Sequence, residues 1–236
     1  MGSWCYVIAC SLGIVVLLYA LLEVHYFLRM CLCVVLARFV KKKTHILDTT
    51  TVSGICLTTD IDTLLYHMNN ARYLRELDFA RVDFYERTQL YRTIVLKGGA
   101  VVQGAATIRY RRFIRPFARF TITSRIIYWD DTSVFMEHRF LTPSDNFINA
   151  IAICRQRILD CSAEDVMRTL LTPKSTELQT TTSGNTVSPT ISLQNTTMEN
   201  IENGHINSKL KPEMPLEISK WIEYNEISSK NLRRGC

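Results

Sequence analysis

The run TDIDTLLYHMNNARYL, Thr59 to Leu74, gathers Asp60, Asp62, His67, Asn69 and Asn70 just ahead of an apolar segment. Two chemistries fit these residue types. In the first, the polar groups serve a helix start, which leaves several backbone N–H groups without partners and carries partial positive charge. Asn69 or Asn70 would then cap the helix, Asp60 and Asp62 would accept backbone hydrogen bonds, and His67 would be a satisfied, half-buried side chain. In the second, the helix start polarises a carbonyl oxygen. Asp62 would act as nucleophile or general base, with His67 and Asn70 orienting it or the substrate. The residue types alone leave both open.

The element that must hold these groups is MNNARYLRELDFARVDFYERTQL, Met68 to Leu90. Its residues Ala71, Leu74, Leu77, Phe79, Ala80, Val82, Phe84 and Tyr85 spread over most of a helical circumference, so the helix must be largely surrounded by other structure. A β-branched stretch, Thr51 to Thr59, precedes it as a strand. Four longer strand patterns follow. The first, Gly99 to Arg112, has Gly104 as a bulge. The second, Pro116 to Asp131, puts Ala118, Phe120, Ile122, Ile126 and Tyr128 on one face. The third, Thr132 to Thr142, puts Val134, Met136, His138 and Phe140 together, which makes His138 a packing residue. The fourth, Phe147 to Leu159, aligns Ile148, Ala150, Ala152, Cys154 and Ile158. Asp130-Asp131 and Pro143 to Asn146 are turn signals. One enclosed helix followed by four antiparallel strands is an α+β layer fold. A short helix with Ser162 as N-cap closes the domain.

The N-terminal run Trp4 to Leu22 carries no charge. At about 1.5 Å per residue it reaches about 30 Å, the thickness of a bilayer hydrocarbon core. Arg29, Arg38 and Lys41 to Lys43 follow it, and a positive-inside bias places the rest of the chain in the cytosol. The expectation is an uncleaved anchor in the endoplasmic reticulum membrane, with the apolar residues beyond it lying partly in the interface. No basic n-region precedes the apolar core and no small-residue cleavage site follows it. A secreted chain with a cleaved leader is the alternative. The organisation expected is thus 1–43 as anchor and basic flank, 44–171 as folded domain, 172–211 as a disordered Thr/Ser/Asn-rich loop, and 212–236 as a helix docking back on the domain. The eight Cys show neither a disulfide framework nor zinc-ligand spacing, and no metal site is expected. The net charge of +6 comes with no nucleic-acid motif, so no nucleic-acid partner is expected.

The run from Asp60 through HMNNARYLRELDFAR, followed by a strand series containing YWDDTSVFMEHRF, resembles the hotdog-fold thioesterases of the 4-hydroxybenzoyl-CoA thioesterase type. The resemblance covers the chain apart from the Thr/Ser/Asn-rich loop. It implies an antiparallel sheet wrapped around a long central helix, a homodimer with a continuous sheet, and hydrolysis of acyl-CoA thioesters near the central-helix start of the partner subunit; the membrane anchor makes a fatty acyl chain the expected ligand. No cofactor is implied, since CoA is part of the substrate. Asp62 matches the reactive carboxylate, with His67 and Asn70 beside it and Tyr66 and Asn69 toward the substrate. Two departures stand out: Tyr66 replaces a glycine before the His, and one extra residue separates Asp62 from His67. They leave open a second function, a catalytically inactive acyl-binding or scaffold protein.

Overall fold

The computed structural model describes residues 2–22, 24–172 and 211–235. The Thr/Ser/Asn-rich stretch, apart from its two end residues, lies outside the described residues. Two helices, α1 (Gly2–Leu22) and α2 (Val24–Val35), open the chain, and a π-helical turn, Leu36–Val40, continues α2. The domain then runs β1 (Thr50–Ile55), α3 (Asn70–Thr88), α4 (Leu90–Leu96), β2 (Ala100–Tyr110), β3 (Arg119–Trp129), β4 (Ser133–Leu141), β5 (Ile148–Leu159) and α5 (Ala163–Leu171). Helix α6 (Leu216–Arg234) follows.

The five strands form one antiparallel sheet in the order β1-β3-β4-β5-β2. Its inner face packs on α3. Tyr73, Leu77 and Ala80 share one packed cluster with Phe120, Ile122 and Phe140 and with three small residues of β5, Ala150, Ala152 and Cys154, which leave room for the helix. A second cluster joins Phe84 and Tyr85 to Ile126, Trp129, Met136, Ile158 and the apolar side of α5. The helix ends where Gln89 turns left-handed at φ 63°. The expected bulge at Gly104 is present as a register shift between Gln103 and Ala105. A further shift between Ile126 and Tyr128 was not expected. It turns Trp129 inward in place of Tyr128, because one extra residue in a strand reverses which side chains face the core.

The inner face also buries two polar side chains at its centre. Ser124 Oγ lies 2.8 Å from His138 Nδ1, and His138 Nε2 has no partner among the described residues. Burial lowers the His138 pKa from 6.5 to about 3. The folded state therefore keeps the imidazole neutral, whereas the unfolded chain takes up a proton below pH 6.5. This neutral-site stability is fully present above that value and is lost as pH falls toward about 3, by about 1.4 kcal/mol per pH unit within the window. Denaturation midpoints of the full chain and of His138→Gln, followed from about pH 7.5 to about pH 5, are expected to diverge at the neutral end and converge on acidification.

Helix α2 lies along α3 and pairs with it through charges. Arg29 makes two bonds to Glu76, at 2.5 and 2.6 Å. Lys41 reaches Asp83 at 2.6 Å, and Arg38 holds Glu86 at 3.0 and 3.1 Å. Tyr26 donates to Asp78, and the Arg29 guanidinium sits 4.0 Å over the Phe79 ring. The Glu76 and Asp83 side chains are only 6% and 0% exposed. Residues expected to flank a membrane span thus neutralise carboxylates on the central helix. Among the described residues, no single helix is long and apolar enough to cross a membrane. Trp4–Tyr19 and Val24–Val40 pass that test together, as a pair bent by 73°. At the other end of the chain, α6 buries Ile218 and sets Trp221 edge-on against Phe135.

Candidate active site

An isolated antiparallel bridge between Ile61 and Met68 closes the loop ahead of α3. Asp62 organises its interior. Its backbone N–H donates to the His67 carbonyl at 2.9 Å, and its Oδ1 accepts the N–H groups of Tyr66 at 3.0 Å and His67 at 3.3 Å. Leu65 donates its N–H to the Asp62 carbonyl and takes a left-handed φ of 56°. That conformation is strained for a branched residue. Amide donation, first from Tyr66, holds the Asp62 carboxyl below its ordinary range. Asp60 serves the loop differently: its Oδ2 accepts the Leu57 N–H and its carbonyl accepts the Asn69 N–H.

The second Asp62 oxygen, Oδ2, lies 4.0 Å from His67 Nε2. The other ring nitrogen, Nδ1, is 2.8 Å from the Met68 carbonyl oxygen, which can only accept. In the neutral ring Nδ1 therefore carries the proton, and Nε2 presents a lone pair toward the carboxylate side. The ring itself is fixed, stacked flat on Phe113 at 4.3 Å with 4° between planes. Phe113 is brought there from the far end of β2 by the bond from the Met68 N–H to the Ile114 carbonyl.

Asn69 is the N-cap of α3, its Oδ1 accepting the Ala71 N–H at 2.9 Å. That bond gives the side-chain oxygen a structural use. Asn70 is the first helical residue, so its own N–H has no intrahelical acceptor. It lines a cleft of about 470 Å³ with His67, Tyr73, Tyr110, Arg111, Arg112 and Phe113, and Tyr110 Oη donates to the Asn70 carbonyl at 3.1 Å. Asp62 and Asn69 do not line this cleft. Tyr66 stays out of it as well. Its ring stands edge-on to Phe113 at 5.6 Å and borders an adjoining cleft of about 400 Å³ with Arg112, Arg115 and Arg119. The side chain that replaces glycine therefore does not plug the space at the helix start.

The arginines of RYRRFIRPFAR are the residues the reading of the site missed, although their clustering was visible. Arg112 is committed to Asp145, at 2.8 and 3.0 Å, and holds that carboxyl down to about 2. Arg111 lies 5.1 Å from the Phe147 ring centroid. Arg115 and Arg119 have no carboxylate partner among the described residues. No group of His, Cys, Asp and Glu among the described residues has the arrangement of a metal site.

The family model of the Thioesterase-like superfamily matches residues 56–222, well over half of the chain. Protein THEM6 of Drosophila melanogaster is 35% identical over 223 residues, covering 94% of this chain and 97% of that one. Protein THEM6 of Xenopus laevis is 33% identical over 226 residues, covering 96% and 92%. The solved structure of Slr0204, a 1,4-dihydroxy-2-naphthoyl-CoA thioesterase from Synechocystis, superposes with a TM-score of 0.46 at 12% identity, over 52% of this chain and 95% of that chain. From the loop at Cys56 to the middle of α6, with its helix-centred antiparallel sheet, the chain belongs to the Thioesterase-like superfamily and has the hotdog fold.

Proposed function

We propose that the chain hydrolyses fatty acyl-CoA thioesters at the start of α3. The observation that carries this reading is the pair of acceptors, Asp62 Oδ2 and His67 Nε2, set 4.0 Å apart beside the free end of a buried helix. Two acceptors at that spacing can share one water. The imidazole takes a proton from it as it attacks the thioester carbonyl carbon, and the carboxylate, held ionised by its amide partners, stabilises the imidazolium. The carbonyl oxygen gathers negative charge, and the Asn70 N–H at the positive end of α3 is the donor offered to it. Collapse then expels the thiolate, which takes from His67 the proton that came from the water.

The leaving group is a polyanion when it is CoA. Arg115 and Arg119, uncommitted to carboxylates, border the adjoining cleft together with the exposed Tyr66, a setting suited to phosphates and an aromatic base. We place the chain on the cytosolic face of the endoplasmic reticulum membrane through its N-terminal helices. The exposed apolar surface of α1 supports attachment to a membrane, and the free cysteines fit a reduced compartment. A homodimer is proposed through β2, a sheet edge of 11 residues whose far end, at Tyr110, borders the cleft. One observation favours the non-hydrolytic alternative: Asp62 already spends one oxygen on two loop amides.

The full chain in detergent, offered a panel of acyl-CoAs of different lengths, tests the reading through release of free thiol. Arg115→Gln with Arg119→Gln is expected to raise KM for acyl-CoA about tenfold, roughly 1.4 kcal/mol of binding. KM for an acyl-pantetheine lacking the nucleotide is expected to stay unchanged. Equal effects on both substrates would remove the arginines from CoA recognition, and no thiol release across the panel would leave the binding reading standing alone.

A further inference from the structure

Helix α2 is amphipathic in an inverted sense. Apart from the exposed His25, its polar residues face the protein: Arg29 and Tyr26 bond to α3, Cys33 donates to the Phe79 carbonyl, and Ala37 just beyond is fully buried. An apolar stripe lies on the other side, although Val24, Met30 and Val34 are half-buried and Leu32 and Leu36 also border a cleft against β1. Leu28, Leu32, Val35, Leu36 and Phe39 are exposed at helical spacing, from 37% to 76%, with Cys31 exposed in the same stripe. A helix that turns its charges inward and its leucines out is solvated badly by water, and exposed apolar patches of this size mark an interaction site. The charge ladder also prevents the helix from rolling over to bury the stripe, because that would strand Glu76 and Asp83.

We infer that the outer face of α2 lies in the plane of a lipid bilayer, holding the hotdog domain against the membrane with α3 parallel to its surface. Two further observations choose lipid over a protein partner. The chain segment just before the stripe, Trp4 to Tyr19 of α1, also exposes large apolar side chains. The 73° bend between the two helices sets α2 nearly flat on the surface when α1 stands along the membrane normal. An in-plane helix of this kind sinks its apolar face about 5–10 Å, to the boundary of headgroups and acyl chains. The inference rests on the membrane attachment proposed above and is independent of catalysis.

The test uses the full chain reconstituted in phosphatidylcholine vesicles. Leu28→Trp, at a position 64% exposed on the stripe, is compared with the unsubstituted chain to subtract Trp4, Trp129 and Trp221. Lipids brominated near the headgroup are expected to quench the added fluorescence at least about twofold more than lipids brominated near the chain ends. Stronger quenching by the deep bromines would mean that α2 spans the bilayer, and no quenching that the stripe meets no lipid; either overturns the inference. In parallel, a membrane-impermeant maleimide, read cysteine by cysteine by mass spectrometry, is expected to label Cys31 about tenfold more slowly in the native chain than in Leu28→Glu/Leu32→Glu/Val35→Glu. Cys31 protection that disappears when the protein is diluted in lipid would assign the stripe to a second copy of the chain and also overturn the inference. Failure of the chain to float with vesicles at all would defeat both the inference and the membrane attachment, whereas flotation without quenching defeats the inference alone.

Discussion

Asp62→Asn is expected to lower kcat/KM for acyl-CoA hydrolysis by about 10²- to 10⁴-fold while the protein melts within a few degrees of the native chain. The separation of the two effects follows from the two oxygens. Oδ1 is the structural one: it accepts the Tyr66 and His67 amides, and the carboxamide oxygen of Asn can do the same. Oδ2 is the chemical one, 4.0 Å from His67 Nε2. An amide group there brings no charge to stabilise an imidazolium, and its NH₂ would donate to the very lone pair that must take the proton. His67→Gln is expected to lose activity to a similar degree, and the double variant little more than either alone, since the two groups act as a unit. Activity of Asp62→Asn equal to that of the native chain would sink the hydrolytic assignment of this carboxylate.

The second large effect is on stability. Arg29→Met is expected to destabilise the domain by about 3 kcal/mol, because it leaves Glu76 charged and almost fully enclosed. Replacing both partners, as Arg29→Met with Glu76→Met, is expected to recover most of that loss, since apolar side chains of similar length need no counter-charge. Removing residues 1–43 withdraws Arg29, Arg38 and Lys41 together. Among the described residues, Asp83 would keep Arg87 as its one cation, at 3.4 Å. That truncation is expected to be less stable than Arg29→Met alone, by denaturant unfolding in the same detergent. A truncated domain as stable as the full chain would show that α2 is dispensable to the fold.

These residues also mark where the sequence was legible and where it was not. The enclosed helix was readable because Leu77, Ala80 and Phe84 recur with helical period, and the strands because Phe120 and Ile122, or Met136 and Phe140, alternate with period two. The bulge before Tyr128 breaks that alternation without any glycine or proline to announce it. Glu76 and Asp83 sit on a helix face that charge alone assigns to solvent. Their burial depends on Arg29 and Lys41, more than forty residues earlier. Within the site, Asn69 as a cap and Asp62 as an acceptor of loop amides followed from local chemistry. Phe113 and Tyr110 did not, because long-range bonds, Met68 to Ile114 and Tyr110 to Asn70, set them around the cleft with His67.

If the chain inserts into a membrane as proposed, the order of synthesis gives the Arg29–Glu76 pair a second role. The two residues are 47 positions apart, so at a ribosome adding about 5–20 residues per second the cation exists alone for roughly 2–10 s before its partner is made. On a chain inserting into a membrane, that interval is when unpaired arginines and lysines decide which way an apolar segment points. The same side chain would thus steer orientation first and be paired with Glu76 in the fold afterwards, about a third of it still exposed.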